Sequence, residues 1–182
     1  MSNVFGECSL CHQPLTPYGS LACAEGTICR NCAALLSPFL TKEEVAQMSL
    51  QQLNEHIEYR KSNAEALKDL KISKVIDGKY DLYCDQDKKN ILFVKGKDAV
   101  RQNADIIPLS AVEKLQITKQ YNKKDADYVD IFVKVFLHDF RFKCVEFMTN
   151  TFPKTDVNIE AYQQAMDLAY EYLDKIKELV SI

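Results

Sequence analysis

The chain has 182 residues, 47% hydrophobic and 27% charged, with a formal net charge of −3. That length allows one ordinary domain plus a small accessory module, and the composition is that of a folded globular chain. No apolar run approaches the roughly 18 residues of a membrane-spanning helix, and the weakly acidic balance gives no strong non-specific attraction for nucleic acid or anionic lipid. The opening stretch MSNVFGECSL has neither a basic nor an apolar leader region, so a cytoplasmic location is expected. Reducing conditions there disfavour structural disulfides, and an odd count of seven cysteines fits that expectation.

The first motif in chain order is Cys8-Ser9-Leu10-Cys11-His12. Cys-x-x-Cys-His suits a haem attachment point, a redox pair or half of a metal site. A second pair, Cys29-Arg30-Asn31-Cys32, follows after 17 intervening residues. Two such pairs at that spacing read as a zinc site, each turn aiming two thiolates at one point. Haem attachment requires export and leaves the second pair unexplained. A redox pair needs only one of them, in a βαβ setting that is not evident. Cys8, Cys11, Cys29 and Cys32 are therefore the expected ligands of one structural Zn²⁺, with iron as the substitute metal. His12 and Cys23 stay open as replacements for one of the four. Four protein ligands close the coordination sphere, which points to a structural rather than a catalytic ion. Gly26 offers a positive-φ turn before the second pair, and Pro14, Pro17 and Gly19 suit the loop. Segment 1–36 is too short to be held by apolar burial alone, so a metal would supply its stability. Its one basic residue, Arg30, faces Glu7 and Glu25 in the charge count, so nucleic-acid binding by this module is not expected.

Ser37-Pro38 closes the module. Thr41 with Glu44, and Ser49 with Gln52, have capping-box spacing and predict helices over about 41–48 and 50–69. Leu50, Leu53, Ile57, Ala64 and Leu67 form a stripe at helical spacing, expected to pack on the domain that follows. Tyr59 and Arg60 could mark a partner surface, though no pattern singles them out.

From about residue 71 the period changes to two. Strands are predicted at 72–76, 80–85, 90–95, 104–108, 112–119, 127–138 and 140–149. Asp77-Gly78, DQDKKN, Lys95-Gly96, NKKDAD and His138-Asp139 serve as turns. In YVDIFVKVFLH the residues Val129, Ile131, Val133, Val135 and Leu137 share the core face. Tyr128, Phe132 and Phe136 share the other, which is either covered by packing or a binding surface. A final helix over about 157–180 carries Ile159, Tyr162, Met166, Ala169, Leu173, Ile176 and Val180 on one stripe. It is expected to close one end of a β-sandwich or barrel, with a dimeric coiled coil as the alternative.

Seven strands and a capping helix resemble the pleckstrin-homology (PH) superfold, over about 72–182. The resemblance is architectural and has no sequence motif behind it. In that superfold bound lipid headgroups meet a basic loop between the first two strands, which here reads IDGKYD and is not basic. The amino-terminal arrangement CSLC…LACAEGTICRNC followed by TKEEVAQMSLQQL resembles an uncharacterised bacterial and phage family, domain of unknown function 4428, over about 1–55. The matching positions are Cys8, Cys11, Glu25, Gly26, Ile28, Cys29 and Cys32, with Glu25 where an Asp is expected. That resemblance implies zinc binding, often with a following PH-like domain, and implies no reaction.

The expected architecture is thus α+β: a Cys₄ zinc ribbon (1–36), a helical connector (37–70) and a seven-stranded antiparallel PH-like domain capped by a long helix (71–182). No serine elbow, phosphate loop or dinucleotide glycine motif is present. Cys84 and Cys144 read as small strand residues, and the acidic pairs Asp85/Asp87 and Asp125/Asp127 as solvated turns. The expected function is a non-enzymatic interaction or regulatory protein that binds a protein partner. Membrane-surface recruitment by the β domain, and nucleic-acid binding by the ribbon, are the alternatives.

Overall fold

The computed structural model describes residues 6–85, 87, 89–95, 105–121, 128–153 and 159–181. The chain divides into two compact units, Met1–Lys68 and Asp69–Ile182, and its fold class is mixed α+β, as expected.

In the first unit, strands β1 (Leu21–Cys23) and β2 (Gly26–Ile28) form an antiparallel hairpin in which Cys23 pairs with Gly26. A single-turn helix, α1 (Arg30–Ala33), follows at once. Helix α2 (Lys42–Gln47) starts where its sequence predicts. The Thr41 hydroxyl accepts from the Glu44 N–H at 3.1 Å, and Glu44 accepts from the Thr41 N–H at 2.8 Å. Each bond satisfies a donor that the first helical turn leaves without an intrahelical partner. Ser49 and Gln52 repeat the exchange ahead of α3 (Leu50–Asp69), at 3.2 and 2.8 Å.

The predicted stripe of α3 is real, but part of it faces a different neighbour from the one expected. Leu53 and Ile57 share one hydrophobic core with Cys8, Cys23, Ile28, Cys29, Cys32, Leu36 and Val45. Residues read from sequence as ribbon (1–36) and connector (37–70) thus share a core. The reason is size: two cysteine turns and a hairpin of three-residue strands leave Ile28 and Leu36 nothing else to pack against.

The second unit holds two antiparallel sheets among the described residues. One is ordered β3 (Ser73–Ile76), β4 (Asp81–Asp85), β5 (Asn90–Val94) and β6 (Ile107–Pro108); the other is ordered β7 (Val112–Tyr121), β8 (Tyr128–Leu137) and β9 (Cys144–Pro153). Helix α4 (Ile159–Val180) follows and packs on β7, β8 and β9. Ile131, Val133, Val135 and Leu137 are buried along β8, as their alternation requires. Among the described side chains of α4, Ala165, Met166, Ala169, Tyr172, Leu173 and Ile176 are buried. Val180, predicted on that stripe, is instead exposed. Tyr80, Phe93 and Tyr172 gather around Phe147 with ring centroids 5.0–5.2 Å away. Tyr172 also donates a hydrogen bond to the Tyr80 carbonyl. Its hydroxyl lies where a Cβ on Gly78 would stand, which explains glycine in that turn.

Two expectations shift. The last strand begins at Cys144 rather than near 140. FRFK alternates like a strand, but Phe140 and Phe142 meet edge to face at 4.9 Å inside a wider turn, with Phe142 buried. Asp139 takes a left-handed φ of 49°, and the Leu137 N–H closes the turn on the Lys143 carbonyl at 2.8 Å. The second concerns Asp85, which is 1% exposed and not a solvated turn residue. Asp125/Asp127 and the NKKDAD tip lie outside the described residues. Among the described residues, no helix is long and apolar enough to cross a membrane.

Candidate metal centre

Each cysteine pair is placed by its own backbone turn. Around the first, the Cys8 N–H donates to the Gln13 carbonyl at 2.8 Å and the His12 N–H to the Cys8 carbonyl at 2.9 Å. The turn closes because His12 adopts a left-handed φ of 58°. The second pair uses a helix start rather than a second tight turn. Cys29 is the N-cap of α1, its sulfur accepting from the Cys32 N–H at 3.5 Å. The β1–β2 hairpin brings the two turns together: the Ser9 N–H donates to the Thr27 carbonyl at 2.9 Å, and the Thr27 N–H to the Ser9 hydroxyl at 3.1 Å. Gly26 has φ 142°, and a Cβ there would collide with the Ser9 hydroxyl. The glycine is needed for close approach of the two turns as well as for its backbone angle.

The result is a compact sulfur cluster. The Sγ atoms of Cys8, Cys11, Cys29 and Cys32 all lie within 4.8 Å of one another. Cys8 and Cys32 are 3.8 Å apart, Cys11 and Cys29 3.7 Å. The Cys29 N–H points at the Cys8 sulfur at 3.2 Å. Burial opposes ionisation of Cys8, but the N–H groups of Cys29, Cys11 and Leu10 outweigh it and lower its pKa to about 6. Cys32 moves the other way: burial, then hydrogen bonds with Cys11, Cys29 and Cys8, push its thiol up. One sulfur is favoured as thiolate while its neighbour is suppressed, because four acceptors of like charge crowd one small volume. A cation among them reverses the suppression, since coordination deprotonates thiols. The four sulfurs can therefore hold a metal ion.

Residues 7–56 match the model of a family described as Domain of unknown function (DUF4428). No curated protein and no solved structure matches the chain. The DUF4428 match takes in both cysteine pairs, the hairpin between them, α2 and the first third of α3, and ends at His56.

Within the DUF4428 region the two alternates to the cysteine set stand apart from it. His12 is exposed, and neither His12 nor Cys23 is among the grouped ligand atoms. Cys23 is a buried core residue. Glu25, the departure from the expected Asp, is one methylene longer and reaches the start of α3. Its carboxylate accepts from the Leu50 N–H at 2.6 Å. Sequence reasoning missed two further residues. His56 is 2% exposed and its Nε2 accepts from the Ser37 N–H at 3.1 Å. Arg60, read as a surface residue, is buried and donates to the Leu35 and Leu36 carbonyls. The legible signal for both was their place on the stripe of Leu53, Ile57 and Leu67.

Elsewhere, at the β3–β4 turn, Lys74 is paired with two carboxylates and Lys79 is exposed. Lys74 lies 2.7 Å from Asp81 and 3.4 Å from Asp77. Burial raises the Asp81 pKa, but Lys74 and the Gly78 N–H outweigh it, leaving the carboxyl below its ordinary range. Cys84 is buried, as expected of a small strand residue, and burial pushes its thiol up.

Proposed function

We propose that this chain is a non-enzymatic zinc-binding adaptor, in which Cys8, Cys11, Cys29 and Cys32 hold one structural Zn²⁺ and the second unit is a PH-like domain that binds a protein partner. The observation that carries the reading is the sulfur cluster. Four thiolates at Zn–S of about 2.3 Å in a regular tetrahedron have S···S edges of about 3.8 Å, and two of the pairs stand at 3.8 and 3.7 Å. Zinc bound there supplies cohesion without redox chemistry, and four protein ligands leave no open position for substrate.

Support for a PH-like second unit is the sequence of four strands, three strands and a 22-residue helix. Support for a protein partner over a membrane is twofold. Lys74 has its charge met by Asp81 and Asp77, while the outer face of β8 carries Tyr128, exposed at 38%, with Phe132 and Phe136 half-buried beside it. An aromatic face of this kind suits a protein surface.

Metal analysis of the purified full chain tests the zinc half of this reading, with one zinc per chain expected and no bound metal contradicting it. The partner half is tested by capture from a lysate of the source cell, using the full chain and its F132S/F136S variant as baits. A stoichiometric protein held by the first and lost from the second is expected. No protein, or the same protein on both baits, would contradict the assignment of that face.

A further inference from the structure

Helix α3 is tied to the segments that bracket the second cysteine pair. Upstream of that pair, at the hairpin tip, the Ala24 N–H donates to the Met48 carbonyl at 3.0 Å, and Glu25 accepts from the Leu50 N–H at 2.6 Å. Downstream of the pair, Ser37 donates its N–H to His56, and Arg60 donates to the Leu35 and Leu36 carbonyls. Between these ties Leu53 and Ile57 share a core with Cys8, Cys29 and Cys32. Glu25 stands four residues before Cys29, and Leu35 three after Cys32. Both ties thus rest on backbone whose position is set by the cysteines.

From this arrangement we propose that the four-cysteine site is a metal-dependent switch for α3: with metal bound, the first three turns of the helix are capped and docked, and without it they fray. The proposal rests on the metal-binding reading above and adds a consequence that a self-contained ribbon would not have.

The physics is that of a helix start. The leading N–H groups of a helix have no intrahelical acceptor, and a carboxylate there also meets the positive end of the helix dipole. In α3 the Leu50 N–H has an acceptor from outside the helix, on a hairpin tip that the cysteine turns hold in place. Further along the helix, with the 35–37 segment displaced, buried His56 would lose the Ser37 N–H it accepts from and buried Arg60 the Leu35 and Leu36 carbonyls it donates to. Loss of the ion therefore removes a cap, two buried hydrogen-bonding anchors and the apolar partners of Leu53 and Ile57 together.

Hydrogen exchange read by mass spectrometry on the full chain tests the switch, with metal content measured on the same samples. Zinc-loaded protein is compared with protein stripped by a chelator and then reloaded with zinc alone. Exchange across 50–60 is expected to rise at least about tenfold on stripping and to return on reloading, while β8 keeps its protection. In the E25A variant the metal content is expected to stay at one per chain, while exchange at 50–53 rises roughly fivefold, the scale of a lost cap. Stripped protein with α3 still protected would overturn the switch and leave metal binding intact. Loss of protection in β8 as well would overturn it in favour of global unfolding. Unchanged exchange in E25A would overturn the capping part of the switch. A chain isolated without metal would overturn both this proposal and the reading beneath it.

Discussion

At the scale of single residues, the four sulfurs are distinguished from the other cysteines by where the backbone aims them. Cys29→Ser should weaken zinc binding by more than ~100-fold, beyond what loss of an outer-shell partner costs, as read by competition with a chromophoric chelator. Cys23→Ala should leave that affinity unchanged and cost about 1 kcal/mol of stability, the price of a small void. Asp81 offers a second residue-scale test. Its folded pKa is depressed, so its contribution is present above the ordinary carboxylate value of about 3.9 and is lost as pH falls through the lower folded value. Titration by NMR should place Asp81 below other aspartates, and K74M should move it upward and lower the melting temperature at neutral pH. An Asp81 pKa indifferent to that substitution would mean that Lys74 is a bystander.

At the scale of elements, local signals in the sequence were strong wherever one residue type had one reason to be where it is. Thr41-x-x-Glu44 and Ser49-x-x-Gln52 marked both helix starts, and Thr41→Ala should cost about 1 kcal/mol in chemical denaturation. Gly26→Ala should cost more, about 1–3 kcal/mol, because it combines an unfavourable φ with a clash on Ser9. The cysteine pairs and the alternation in β8 were equally plain. What the sequence hid were contacts set by tertiary neighbours. Arg60 was open to reading as a partner-surface residue: its place on the stripe signals burial, but nothing local says that carbonyls of residues 35 and 36 stand over it. Phe140 and Phe142 kept the beat of a strand while folding into a turn, since alternation alone does not distinguish the two. Asp85 sat in a polar run and was read as solvated, but the register Asp85 to Asn90 puts it inside the hairpin's paired end.

At the scale of the whole molecule, the chain divides into two units with cores of different make-up. The second buries large apolar side chains from its strands and α4, among them Tyr172, Phe147 and Ile176. The first, ending at Lys68, has a core in which Cys8, Cys29 and Cys32 are themselves members. A chelator should therefore act on one unit and spare the other. Calorimetry of the full chain should lose an unfolding transition on chelation and retain the one belonging to the second unit. A single transition at an unchanged temperature would mean that the first unit does not depend on metal.

The most direct test of the account is elemental analysis of the purified full-length protein alongside its C8S/C29S variant. One zinc per chain in the parent and none in the variant is the predicted result. A parent chain with no stoichiometric metal, or a variant that keeps its zinc, would contradict the claim that these four sulfurs hold the ion.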